Sequence, residues 1–448
     1  MDKINSFKAY DIRGKIPSEL NPDLAYKVAK AYSSLINAKS VVIGYDIRKS
    51  SDIISGAVKK GLTENGVDVI DIGLCGTEMI YYATPYFNAD GGIMITASHN
   101  PPEYNGMKFV KKDSVPVGYD SGLNKVEELI LSNDLEVKTE NKGKVENVDV
   151  MPAFIENLKR FYDPKKIKKL KVVVNAGNGC AGLSLDQLEP KLPVEMIKLF
   201  NIPDGSFPNG VPNPMLEENR KSTIEEIKKQ KANLGVAWDG DYDRCFFFDE
   251  HGNFIEGYYI VGLLAKSILK NHPGENIVHD PRLVWNTEEI VKRHSGKPVV
   301  SKSGHAYIKE KMREVNAVYG GEMSAHHYFR ENAYSDSGMI PFLLVLQLMS
   351  TENKKLSELV DEMIKEYPCS GEINSTIDKP EEKLKEIEKK YSDGKIDHLD
   401  GVSIEYPEWR FNLRLSNTEP IIRLNVESRG NETLMKNKTE ELLKVIRS

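Results

Sequence analysis

Apolar positions along the chain fall into short runs of β-formers that alternate with stretches whose apolar residues recur every three or four positions. Residues 41–44, 67–72 and 92–96 predict strands, and residues 51–60 and 77–86 predict the helices between them. A helix with Leu24, Val28, Ala31 and Leu35 on its apolar face precedes this block, and one bearing Leu123, Val126 and Ile130 follows it. Strand and helix in alternation imply right-handed crossovers and a mainly parallel sheet. The rhythm returns with predicted strands at 170–174, 194–200 and 234–238 and a helix at 223–231. It returns again with strands at 277–279, 298–301 and 317–319 and helices at 287–294 and 305–315, the last with Ile308, Met312 and Val315 on one face. From about Glu366 the pattern changes to strands at 402–405, 409–415 and 421–426 and a closing helix carrying Met435, Leu442 and Ile446.

The expected fold is α/β: three similar α/β domains with mixed, mainly parallel sheets, at residues 1–149, 150–250 and 251–365, then an α+β domain at 366–448. A polar stretch at 133–144 predicts a surface connection. A loop studded with Pro203, Pro208, Pro212 and Pro214 interrupts the second domain. In each of the first three domains the third strand delivers a polar loop, namely Ser98-His99, Asp239-Gly240-Asp241-Tyr242-Asp243-Arg244 and Glu322-Met323-Ser324. Strand ends are where α/β sheets bind ligands, so the weak duplication points to one composite site.

A chain of 448 residues is too long for a single core. Its 61 Lys plus Arg against 67 Asp plus Glu give a net charge of -6 with no basic block, which argues against a nucleic-acid partner. No stretch approaches the roughly 18 apolar residues of a membrane span, so the expectation is a soluble, cytoplasmic protein. Cys75, Cys180, Cys245 and Cys369 stand apart, without the spacing of a zinc site or a disulfide framework, and read as small buried hydrophobes.

By itself Thr96-Ala97-Ser98-His99-Asn100-Pro101 reads as a turn, with a nucleophilic serine beside a histidine as the functional alternative. Asp239, Asp241 and Asp243 alternate so closely that a hard divalent cation is their natural guest, a solvated acidic turn being the plainer option. An EF-hand is excluded even though Glu250 stands twelfth from Asp239: Arg244 occupies the glycine position and the flanking segments are strand-like. Arg414, Ser416, Asn417 and Thr418 offer a guanidinium fork, hydroxyls and turn amides suited to a phosphate dianion, or equally a capped turn. Glu322 and Ser324 could hold sugar hydroxyls. Arg13, Lys108, Arg244, Arg282 and Lys302 are scattered cations, and His305 and His326 lone histidines, that would be ordinary structural residues in isolation.

Together with Ala9-Tyr10-Asp11-Ile12-Arg13-Gly14, Pro203-Asp204-Gly205-Ser206-Phe207-Pro208 and Arg414-Leu415-Ser416-Asn417-Thr418-Glu419-Pro420, these motifs resemble, in order and over the whole chain, the α-D-phosphohexomutase superfamily and its phosphomannomutase/phosphoglucomutase branch. The resemblance implies four domains around a central cleft with a mobile last domain. It implies phosphorylation of Ser98, and Mg²⁺ held by Asp239, Asp241, Asp243 and the phosphate on Ser98. Arg244 would assist at the phosphoserine, and His99 and Lys108 would be candidates for proton transfer. Glu322 and Ser324 would bind the sugar's hydroxyls, and Arg414, Ser416, Asn417 and Thr418 the phosphate that is not reacting. Tyr10, Arg13, Arg282 and His305 would line the cleft. Two departures stand out: Tyr242 where the family often has glycine, and Arg282 where lysine occurs.

The implied activity interconverts hexose 6-phosphate and hexose 1-phosphate, of mannose or glucose, through a phosphoserine enzyme and a hexose 1,6-bisphosphate, which also serves as activator. The partners are hexose phosphates, and the chain is expected to be a monomer or weak homo-oligomer. The rival readings are a phosphoglucosamine mutase, disfavoured by Met323 where that branch has glutamine, a metal-dependent sugar phosphatase, and a non-catalytic sugar-phosphate binding protein.

Overall fold

The computed structural model describes residues 3–135, 141–415 and 421–448. They divide into two units, Met1–Phe254 with His326–Asn353, and Ile255–Ala325 with Lys354–Ser448.

In the first unit the strand Gly91–Ile95, buried at every position, runs parallel to Ser40–Tyr45 and antiparallel to Tyr104–Lys111. Ser40–Tyr45 pairs in parallel with Asp68–Leu74, which pairs with Val145–Asn147, and Ile12–Lys15 closes the other edge against Tyr104–Lys111. The helix Pro22–Ile36 shows why these elements form where they do. Asn21 caps it by accepting from the Leu24 amide at 3.0 Å, Pro22 opens it, and Asn37 ends it in the left-handed region at φ 57°. Its predicted stripe covers the sheet, with Val28 and Ala31 buried and Leu24 and Leu35 at the rim of the same core. Burying a side chain such as Val28 contributes about 1.5–3 kcal/mol.

A second sheet of this unit places Cys245–Phe248, Leu234–Trp238, Leu170–Asn175 and Val194–Leu199 side by side, only the first antiparallel to its neighbour. Leu234–Trp238 is wholly buried and stops at Asp239. The hairpin His327–Phe329 with Ser335–Asp336 and the helix Met339–Glu352 pack in this unit too. Trp238 Nε1 donates to the Gly338 carbonyl at 2.9 Å and meets the Phe342 ring edge-on at 5.4 Å.

The second unit holds the parallel strands Lys297–Val300, Asn276–His279 and Tyr319–Gly321 with the helices Gly257–Leu269, Trp285–Arg293 and His305–Glu314. Its other sheet is antiparallel throughout, ordered Ile373–Thr376, Ile421–Ser428, Trp409–Leu415, Val402–Glu405, Lys395–Asp397. One face of that sheet is apolar, with Leu413, Leu424 and Val426 against Met435, Leu442 and Ile446 of the helix Glu432–Ile446. These elements match the predicted α/β class with an α+β C-terminal segment. All four cysteines are free thiols, three buried and Cys369 half-buried.

Three elements carry no sequence signal of the kind used above. Tyr104–Lys111 is buried along its middle on both faces, so no alternation shows, and its Asn105-Gly106 reads as a turn. Gly257–Leu269 and Met339–Glu352 are buried nearly all round, and a helix with no polar face has no amphipathic period.

Candidate functional site

Ser98 sits just beyond the end of Gly91–Ile95, 3% exposed, with its backbone in the left-handed region at φ 48°. Its hydroxyl donates to Asp239 Oδ2 at 2.8 Å and lies 3.0 Å from His99 Nδ1. Asp239 follows directly on Leu234–Trp238, so two strand ends bring the serine and the first aspartate together. The two loops meet backbone to backbone: a Cβ on Gly240 would lie 2.5 Å from the Ser98 carbonyl oxygen, which is why that position carries no side chain.

The aspartate trio is buried, with one oxygen of each within 4.8 Å of the others. Arg244 Nε donates to Asp239 Oδ2 at 2.7 Å. Lys108, from the strand Tyr104–Lys111, reaches Asp241 Oδ2 at 2.6 Å and Asp243 Oδ2 at 2.5 Å, and Thr77 Oγ1 also donates to Asp241 Oδ2. Burial, then the charges of Asp243 and Asp241, raise the Asp239 carboxyl to about 7 although Arg244 pulls it down. Burial opposes the charge on Lys108, but Asp241 and Asp243 outweigh it and hold the ammonium firmly protonated. Asp241 Oδ1 is buried with no hydrogen-bond partner. Three hard oxygen donors converging with an orphaned carboxylate oxygen among them fit a divalent cation.

His99 Nδ1 faces Arg244 Nη2 as well as Ser98. A guanidinium can only donate, so Nδ1 accepts and the neutral ring carries its proton on Nε2. Burial, and after it Arg244 and Arg13, push His99 well below the ordinary histidine range. Arg13 Nη1 donates to Asn100 Oδ1 at 2.7 Å and its other end pairs with Asp11 at 2.5 Å. Tyr10 is half-buried in the bend ahead of Ile12–Lys15. Tyr242 takes a left-handed backbone at φ 44°, the conformation that favours glycine, while its ring lies against Gly76 and its hydroxyl 3.0 Å from Ser184 Oγ.

The second unit gathers the remaining predicted residues. Arg282 pairs with Asp280 through Nε at 2.8 Å, with Glu372 at 3.3 Å and with Glu322 Oε1 at 3.5 Å, and its Nη2 donates to Ser324 Oγ at 3.3 Å. Glu322 accepts from the Gly304 amide at 2.8 Å, next to His305 at the start of His305–Glu314. Arg414 lies 3.3 Å from Asp400 and 3.7 Å from Glu372, which Arg423 also approaches at 3.5 Å. Burial works against the charge on Glu372, but Arg282, Arg423 and Arg414 hold its carboxyl below the usual range. Ser416, Asn417 and Thr418 lie outside the described residues.

Thr77, Asp46, Arg48, Asp280, Glu372 and Arg423 belong to these clusters and were not singled out from sequence. A signal existed for three of them, Asp46, Arg48 and Asp280: Asp46-Ile47-Arg48 and Asp280-Pro281-Arg282 are the same Asp-x-Arg at the end of the first strand of a β-α repeat, and each forms an internal ion pair.

The chain matches phosphoglucomutase/phosphomannomutase α/β/α domain I over residues 5–136, domain II over 152–252, domain III over 256–367 and the C-terminal domain over 372–444. It is 50% identical over 444 residues to a protein of Xanthomonas campestris pv. campestris described as a phosphohexose mutase, with 99% of each chain covered. It is 50% identical over 454 residues to the phosphomannomutase of Escherichia coli K12, covering 100% of both. Among solved structures, a phosphoglucomutase/phosphomannomutase family protein from Burkholderia thailandensis superposes with a TM-score of 0.87 at 30% identity, over 100% of this chain and 98% of that one.

Proposed function

The chain belongs to the phosphoglucomutase/phosphomannomutase family, is a hexose-phosphate mutase and therefore an isomerase, and we propose that it works through phospho-Ser98 on mannose and glucose phosphates. Ser98 Oγ carries the phosphoryl group and passes it to the free hydroxyl of a hexose monophosphate, the P–O bond to serine breaking as that to the sugar forms and the proton of the sugar hydroxyl ending on the departing Ser98 oxygen. The hexose 1,6-bisphosphate so made turns over and returns its other phosphate to Ser98, and the same bisphosphate primes the dephospho-enzyme.

Phosphoryl transfer asks the protein chiefly for placement and for charge to meet the equatorial oxygens. Mg²⁺, held by Asp239, Asp241, Asp243 and an oxygen on Ser98, would supply charge neutralisation there. Arg244 lends a guanidinium anchored on Asp239, and Lys108 a permanent cation that keeps Asp241 and Asp243 from repelling each other. In the dephospho-enzyme the Ser98 hydroxyl donates to Asp239 Oδ2, which places that carboxylate to take the proton as the serine is rephosphorylated, and Arg244 donates to His99 Nδ1. Glu322 and Ser324, both tied to Arg282, serve the sugar's hydroxyls. Arg414, with Ser416, Asn417 and Thr418, grips the phosphate that is not reacting, while Tyr10, Arg13, Arg282 and His305 frame the substrate. Met323 in the sugar loop favours mannose and glucose over glucosamine phosphates. No helix among the described residues is long and apolar enough to cross a membrane. The enzyme is proposed to be cytoplasmic and monomeric or weakly self-associating.

The single observation that carries this reading is the 2.8 Å contact of Ser98 Oγ with Asp239 at the head of the acidic trio. The test is a coupled assay with mannose, glucose and glucosamine phosphates, primed with the matching 1,6-bisphosphate, on the wild type and Ser98→Ala. Isomerisation by the wild type and none by the variant is expected. Unchanged turnover in Ser98→Ala, or inorganic phosphate released in place of isomer, would overturn it.

A further inference from the structure

Both backbone polar groups of Ser98 are held by one buried ion pair that takes no part in the chemistry. The Ser98 amide donates to Thr96 Oγ1 at 2.8 Å, and Thr96 Oγ1 in turn donates to Asp46 Oδ2 at 2.7 Å. The Ser98 carbonyl accepts from Arg48 Nη2 at 2.8 Å, and Arg48 Nε lies 3.3 Å from the same Asp46 oxygen. Arg48 goes further along the loop, donating from Nη2 to Asn100 O at 2.6 Å and from Nη1 to Pro101 O at 2.7 Å and Tyr104 O at 3.0 Å. One planar fork thus ties four carbonyls of the loop to Asp46, which also accepts from the Arg48 amide at 3.0 Å and from Ser51 Oγ at 2.6 Å.

The Arg48 side chain has no exposed surface. Its guanidinium is covered by the Phe207 ring, 5.4 Å away, and residue 48 forms a parallel bridge with Gly205. The segment Pro203-Asp204-Gly205-Ser206-Phe207-Pro208, for which the reaction provides no use, therefore closes over Arg48. Its close approach leaves no room for a side chain at Gly205, where a Cβ would lie 2.1 Å from the Ile47 carbonyl.

A buried ion pair is a poor route to stability, because desolvating two charges costs about as much as their attraction returns. What it offers is geometry. Ser98 stands at φ 48°, a backbone conformation that a non-glycine residue keeps only when its surroundings over-determine it.

We propose that the Asp46–Arg48 pair, capped by Phe207, is the positioning device that fixes the Ser98 peptide, and with it the line of phosphoryl transfer. This rests on the reading of Ser98 as the phosphoryl carrier. Arg48 is a positioning residue: its donors are spent on the loop carbonyls. Lysine cannot replace it, since a single ammonium cannot span the two pairs of acceptors.

The test compares Arg48→Met, Arg48→Lys and Phe207→Leu with the wild type in the primed mutase assay, and follows amide hydrogen exchange of residues 98–104 in the full-length protein. Arg48→Met is expected to lower kcat about 100-fold, the loss typical of sub-ångström to ångström misplacement, with KM for the hexose phosphate within about threefold. Arg48→Lys and Phe207→Leu are expected to lose kcat in smaller steps, and all three to exchange faster in this segment. Unchanged exchange with kcat within about threefold of wild type would overturn the proposal. So would a loss confined to Tm with kcat per folded molecule intact. Should Arg48→Met fail to fold, Phe207→Leu, which leaves the fork in place, decides by the same two readings. A wild type that does not isomerise sinks the mutase mechanism alone, because the exchange measurement judges the clamp without reference to turnover.

Discussion

Lys108 Nζ stands 2.6 Å from Asp241 Oδ2, and both side chains are buried. The ammonium already does part of what a divalent cation does for the trio, so lysine and metal share one electrostatic task. Lys108→Met should therefore make folding depend on metal. Removing one partner of a buried pair costs about 3–5 kcal/mol, and Mg²⁺ should restore much of that. Thermal unfolding with Mg²⁺ and with EDTA measures it. An equal Mg²⁺ effect on wild type and variant would contradict the shared role.

Glu78 sits one residue after Thr77 in the helix Thr77–Tyr86, and burial pushes its carboxyl up to about 8. The folded state therefore holds a proton that the unfolded chain releases near the ordinary glutamate value. The stability this group contributes is fully present below about pH 4.3 and is lost as pH rises through about 8. Glu78→Gln cannot titrate, so it should gain on the wild type steadily between those limits in urea unfolding at a series of pH values. A constant difference across the range would show that Glu78 is ionised in the fold.

Tyr242 pits backbone preference against packing. Glycine would relieve the left-handed φ of 44°, a gain of about 1 kcal/mol, yet would empty the space the ring fills against Gly76 and Ser184, a loss of about 3–5 kcal/mol. Tyr242→Gly is thus expected to destabilise by a few kcal/mol. Tyr242→Phe, which forgoes only the hydroxyl contact, should cost about 1 kcal/mol. Urea midpoints test the order, and a Tyr242→Gly variant as stable as wild type would show that backbone relief outweighs the packing of the ring.

Glu427 is the hub of the second unit. It accepts from Arg410 Nη1 at 2.8 Å and from the Val284 amide at 2.8 Å, and the Tyr258 hydroxyl donates to it as well. Glu427→Gln leaves Arg410 buried without its counter-charge, at a cost of about 3–5 kcal/mol. Because the acceptors of Arg410 include the Pro281 and Arg282 carbonyls, hydrogen exchange should rise together in Ile421–Ser428 and around Arg282. Faster exchange in the strand alone would mean the two are not coupled through this carboxylate.

The sequence exposed those parts of the site whose chemistry is crowded into a few neighbours. Asp239, Asp241 and Asp243 announce a cation because like charges at that spacing need one, and Ser98 is marked by the strand before it and the prolines after it. Arg423 and Glu372 stayed hidden for the opposite reason: their importance lies in partners distant along the chain, and one arginine in sequence looks like any surface cation. The helix Pro22–Ile36 was legible because its stripe and cap agree, whereas Gly257–Leu269 was not, since full burial erases the periodic contrast that pattern reading needs. The departure at Tyr242 was visible in sequence, but its accommodation by Gly76 lies 166 positions away and needed coordinates.

Because Gly240 presents only backbone to the Ser98 carbonyl, the spacing between the serine loop and the aspartate loop is set main chain against main chain, with no side chain wedged between them at that point. The distance from Ser98 to the aspartates is thus inherited from how two strand ends abut.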